Sequence, residues 1–115
     1  MGHRFDVSNG HSVNVMRCPG DLSASHMVQM KAKLRRLVNR KRRFFLLDLS
    51  QAKHVELAGL GILVDRIKQV RSLRGDIRLF NIRPEVFETL RMVGLTHVIN
   101  TFQDEEEARR SFQIA

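Results

Sequence analysis

The run Phe44-Phe45-Leu46-Leu47-Asp48-Leu49-Ser50-Gln51-Ala52-Lys53-His54-Val55-Glu56-Leu57-Ala58-Gly59-Leu60-Gly61-Ile62-Leu63-Val64 contains a strand, a loop and a helix start in sequence. Residues 44–49 are apolar on both parities except at Asp48, the pattern of a parallel strand covered on both faces. After a polar loop, Leu57 opens an apolar rhythm at helical spacing: Leu60, Leu63, Val64, Ile67 and Val70, with Leu73 near the end. A helix that starts beyond the C-terminal end of a parallel strand stands where open α/β folds carry their functional loops. Gly59 and Gly61 thin its first turn, so a partner's backbone is expected to approach closely there.

The flanks extend this pattern in both directions. Upstream, residues 4–8 and 11–17 alternate as two short strands around Asn9-Gly10, a two-residue hairpin signal, and Pro19-Gly20 ends the second. Ser23 or Ser25 caps a helix over 25–40, with Met27, Met30, Leu34, Leu37 and Val38 on one stripe. Downstream, the second helix stops near Arg74-Gly75, with glycine suited to the position after the cap. Ile77–Ile82 is the next strand, and Pro84 opens a short helix with Val86, Leu90 and Val93 inward and Gly94 as its stop. Residues 98–102 form a last strand. Asp104 then caps a helix that runs from Glu105, Glu106 and Glu107 to Arg109 and Arg110, a charge order matching the helix dipole. The order ββαβαβαβα predicts an α/β fold, a mostly parallel sheet opened by a hairpin, in a single domain over 1–115.

Composition narrows the function. With 115 residues the chain can bury a core without metal or disulfide support. No apolar run is long enough to span a bilayer, and the N-terminus carries no apolar leader region. Cys18 is the single cysteine, which fits a reducing compartment, so a cytoplasmic location is expected. The net charge of +8 is local, because Lys31, Lys33, Arg35, Arg36, Arg40, Lys41, Arg42 and Arg43 stand in a stretch free of acids. An ordinary solvated helix end is the plain reading of that run. Contact of Arg36, Arg40, Arg42 and Arg43 with an anionic surface is the alternative, including peripheral contact with a membrane. Nucleic acid is not expected as a partner, since the chain has no Trp or Tyr to stack on bases.

Catalytic patterns are missing. The five His residues (3, 11, 26, 54 and 97) have no metal-ligand spacing, and Gly59-Leu60-Gly61 is too short for a phosphate-cradling loop. Asp48, at a strand end, reads as a loop organiser that accepts nearby N–H bonds, and no set of nucleophile, base and oxyanion donors assembles. No enzyme activity, metal or cofactor is expected.

Leu47-Asp48-Leu49-Ser50 followed by Val55-Glu56-Leu57-Ala58-Gly59-Leu60-Gly61 resembles the STAS domain of anti-sigma factor antagonists. The likeness continues through Gly20-Asp21-Leu22-Ser23, Leu79–Val86, Met92-Val93-Gly94-Leu95 and Asp104–Ala108, in the family's order. The resemblance implies a small α/β module that binds a serine-kinase anti-sigma factor, which then releases its sigma factor. It also implies a switch, in which the kinase phosphorylates the second serine of the loop and ends binding by adding charge at the contact surface.

This chain departs from the family at that switch. Glu56 stands for the motif's acidic residue, Leu57 for its first serine, Ala58 for the phospho-acceptor and Ser23 for an upstream aspartate. Ala58 has no hydroxyl to phosphorylate. Three readings follow: an antagonist held in the unphosphorylated-like state, a module for another partner such as a membrane-associated ABC-type lipid-transport ATPase or a sensory complex, or a scaffold with a drifted surface. Another hydroxyl, Ser23, Ser25 or Ser50, is open as acceptor. The partner-contact set is Ser23, His54, Glu56, Leu57, Ala58, Gly59 and Leu60, with Asn81 and Arg83 beside it. Plain helix core is the alternative for Leu60, and Leu57 is either buried with it or an exposed apolar contact. His54 is either a plain loop residue or tunes binding near neutral pH.

Overall fold

The computed structural model describes residues 6–10 and 13–112. Five strands form one sheet in the order β1-β2-β3-β4-β5: Asp6–Gly10, Val13–Arg17, Phe44–Asp48, Asp76–Phe80 and Thr101–Phe102. β1 and β2 pair antiparallel, and β2 through β5 are parallel. The helices are α1 (Ala24–Asn39), α2 (Leu57–Ser72), α3 (Pro84–Met92) and α4 (Glu105–Arg110), so the expected order of elements holds.

β3 is buried on both faces, as its sequence requires. Phe45 and Leu47 join the larger core with Met27, Met30, Leu34 and Leu37 of α1 and Leu60, Leu63, Ile67 and Val70 of α2. Leu46 faces the other way, into a smaller cluster with Val15, Phe80 and Ala108 of α4. This alternation follows from the period of two along a strand. Each fully buried Leu, Ile, Phe or Met contributes about 1.5–3 kcal/mol from removal of apolar surface from water. Arg78 fastens the end of α4 to the sheet: its Nη1 donates to Ser111 O at 2.6 Å, and its guanidinium lies 4.1 Å from the Phe112 ring centroid.

Five local expectations are corrected. Asn9 and Gly10 are not the hairpin turn, because they pair with Asn14 and Val13; residues 11–12 and Phe5 lie outside the described residues. Two further ladder positions outweigh the turn preference of Asn-Gly. At the end of α2, Arg74 takes the left-handed position (φ 69°), with Leu73 as the C-cap. Gly75 is required for another reason: a Cβ there would lie 2.0 Å from Arg43 O. β4 stops at Phe80 because Asn81 turns to φ 56°. Val93 leaves the inner stripe of α3 as its C-cap and is 47% exposed. Finally, Val98 and Ile99 are not strand: both amides donate to Leu95 O around a 3-10 turn over Leu95–His97, leaving only Thr101–Phe102 to pair with β4.

Candidate functional site

Two loops at the C-terminal ends of β2 and β3 are joined into one surface. Leu22 and Val55 form a parallel bridge, with Leu22 N donating to His54 O and Glu56 N donating to Leu22 O, both at 3.0 Å. The Asp21 carboxylate reaches across and accepts from Lys53 N at 2.9 Å and His54 N at 3.0 Å. These two backbone donors, that of Lys53 foremost, hold the Asp21 carboxyl below its ordinary pKa. Glu56 Oε1 accepts from Ala24 N at 2.9 Å, so the residue that precedes α2 satisfies an amide at the start of α1. Ser23 caps α1, its Oγ accepting from His26 N at 3.1 Å.

Asp48 organises the other side of the β3–α2 loop, as its position suggested. Burial penalises its charge. Hydrogen bonds from Arg17 Nε and Ser50 N, both 2.9 Å, and Asn81 Nδ2 at 3.4 Å outweigh that and hold the carboxyl below its usual range. Arg83 Nε donates to Ser50 O at 3.0 Å. Asn81 and Arg83 are thus tied to the same loop that ends in Glu56, and Arg83 is also the residue preceding α3. Asp21 and Arg17 were not singled out from sequence, because their partners are about thirty residues away and only the parallel pairing brings them together.

The helix start divides into an inner and an outer half. Leu57 is 73% exposed and Ala58 is exposed beside it, while Leu60 is buried in the core. Of the two alternatives for Leu57, the open apolar side chain is therefore the one found. Gly59 is buried as well, and a Cβ on it would meet Leu22 O at 2.7 Å and Ser23 O at 2.9 Å. The close approach expected of Gly59 is to the chain's own β2–α1 loop, and Gly59 and Leu60 cannot face a partner in this state. Gly61 has open space around it. His54 is exposed, with its backbone engaged in the loop pairing. What the site offers is a mostly backbone-bonded platform with Leu57 and Ala58 outward.

Cys18, at the foot of the same region, is fully buried, and burial pushes its thiol up to about 11, so it stays protonated near neutral pH. The basic residues lie elsewhere: Arg36 and Arg40 are exposed on and after α1, and Arg43 Nη1 donates to Val38 O at 3.1 Å and Arg42 O at 2.7 Å. No helix among the described residues is long and apolar enough to cross a membrane.

Comparison with known proteins agrees with this layout. The chain is 26% identical over 96 residues to the Bordetella bronchiseptica protein BtrV, named as a candidate anti-sigma factor antagonist, covering 84% of this chain and 83% of BtrV. It is 22% identical to the anti-sigma F factor antagonist of Paenibacillus polymyxa over 99% of this chain and 98% of the relative. A Thermotoga maritima crystal structure, described as a candidate anti-sigma factor antagonist, superposes with a TM-score of 0.83 at 18% identity, covering 96% of this chain and 95% of that one. The STAS domain family model matches residues 5–108, and with the ordered motifs and the sheet built from them, the chain belongs to the STAS domain family.

Proposed function

We propose that this protein is a non-catalytic binding module of the cytoplasm, an anti-sigma factor antagonist whose phosphorylation switch is absent, with a serine-kinase anti-sigma factor as its partner. The observation that carries this reading is the exposed Leu57–Ala58 start of α2, held in place by Asp21, Glu56 and Asp48 through bonds that do not involve a hydroxyl at position 58. In the family the matching serine accepts phosphate, and phosphate there ends binding. Ala58 keeps the size and neutrality of the unmodified state but removes the acceptor. The surface is thereby fixed in its binding form, and control passes to protein levels or to the partner.

Calorimetric titration against the serine-kinase anti-sigma factors of the same cell, with nucleotide present, tests this. Dissociation constants at or below the micromolar range are expected for at least one of them; no binding to any overturns the proposal. Leu57→Ser is expected to weaken that binding about tenfold, as loss of a central apolar contact does. Because Leu57 is 73% exposed, its stability should stay within about 0.5 kcal/mol of wild type in urea denaturation.

A further inference from the structure

At the other end of the helices, away from the joined loops, a groove of about 220 Å³ lies between α1 and α2. Lys31 and Arg35 of α1 and Arg66 of α2 line it, with Leu34 and Val38 as apolar wall and Asn39 and Gln69 as neutral polar groups. No carboxylate lines it, and none of the three cations enters an ion pair among the described residues. Arg66 Nη1 donates to Gln69 Oε1 at 2.5 Å, but its Nε is shut off from solvent without a hydrogen-bond partner. A guanidinium stays charged at any physiological pH. Three cations around one groove also repel each other, at a site the fold does not neutralise.

From this convergence we infer that the α1–α2 groove is an anion site that takes a phosphate group, borne by a small soluble molecule or by an anionic lipid headgroup. A phosphate supplies what the groove lacks. Its oxygens accept from the Arg66 guanidinium, and its charge offsets Lys31 and Arg35. The volume is below the range of sites for drug-sized ligands, which suits a phosphate or diphosphate group rather than a large cofactor. The site differs from the Arg36, Arg40, Arg42 and Arg43 set read from sequence: Arg43 is spent on the carbonyls that end α1, whereas Arg66 is 23 residues beyond it and joins Arg35 only through helix packing.

The full chain is titrated with inorganic pyrophosphate at constant ionic strength and, separately, sedimented with vesicles containing phosphatidylglycerol or phosphatidylcholine alone. Saturable pyrophosphate binding with a rise in Tm, weakened at least tenfold in Arg35→Gln/Arg66→Gln, supports a soluble phosphate ligand. Sedimentation only with phosphatidylglycerol, lost in the same variant, supports a headgroup. Absence of saturable binding in both arms, or equal binding by the variant, overturns the inference. Without ligand the double variant should melt at or above the wild-type temperature, since it removes repulsion. Should it fail to fold, Lys31→Gln, an exposed position, is expected to weaken binding several-fold, and unchanged binding there also overturns the inference.

Discussion

Gly75→Ala is expected to destabilise the protein by about 3 kcal/mol, the upper part of the range for overpacking a close-packed site. A Cβ at position 75 would stand 2.0 Å from Arg43 O and 2.9 Å from Val70 Cγ1. Arg43 O cannot move away easily, because it accepts from Asp76 N at 3.0 Å where β3 and β4 begin to pair. The strain thus falls on the sheet's central pairing. Gly61→Ala is the matched control: nothing lies within 4 Å of its added Cβ, and replacing glycine inside α2 should raise stability by about 0.5–1 kcal/mol. Urea denaturation of both variants beside wild type checks the pair; equal stability of the two would remove the close-approach explanation for Gly75.

Asp76→Ala is expected to cost about 2–3 kcal/mol at pH 7. The carboxylate is buried and accepts from Arg71 Nε at 2.8 Å, Ile77 N and Arg78 Nε, both at 2.9 Å, and Asn100 Nδ2 at 3.0 Å, so its removal leaves four donors without this acceptor. The figure stays below that of a fully enclosed pair because Arg71 is about a third exposed to water. Burial raises the pKa of this carboxyl, but Arg71, Arg78 and Asn100 together lower it below its ordinary value of 3.8. A depressed folded pKa gives stability that is present above the unfolded value and lost as pH falls through the folded one. Asp48 and Asp76 both contribute in this sense, so wild type should lose stability below about pH 4, and the gap to Asp76→Ala should shrink there. Denaturation curves at pH 7 and pH 3 read this directly, and a gap that widens in acid would contradict the assignment.

The legible parts of the fold were those with strong periodic or capping chemistry. Phe44–Leu49 shows its two-sided burial in its composition, the stripes of α1 and α2 repeat at helical spacing, and Asp104 with its three following glutamates marks the start of α4. Errors fell where a different hydrogen-bond partner overrode the sequence preference: Asn9-Gly10 was drawn into the ladder with β2, and Val98 and Ile99 into a local turn closed on Leu95 O. The site was legible as a stretch but not as a surface. Nothing in the run 54–60 says that Gly59 packs under Leu22 and Ser23 while Leu57 turns outward, because that depends on the loop from β2. Likewise Asp21 and Glu56, which join the two loops, have backbone partners whose positions exist only once β2 and β3 are side by side.

The most direct measurement is the affinity of wild type and Ala58→Glu for the serine-kinase anti-sigma factor that binds the wild type, by calorimetry. Position 58 is exposed in the first turn of α2, where an acidic side chain is favoured by the helix dipole, so the variant should fold with stability equal to wild type or about 0.3–1 kcal/mol higher. Any loss of binding then reports on the contact surface and not on unfolding. The account predicts binding at least a hundredfold weaker in Ala58→Glu, because the new charge must be desolvated against a partner that accepts a neutral side chain. Equal affinity for the two proteins would contradict it and would place the partner's contact away from the start of α2.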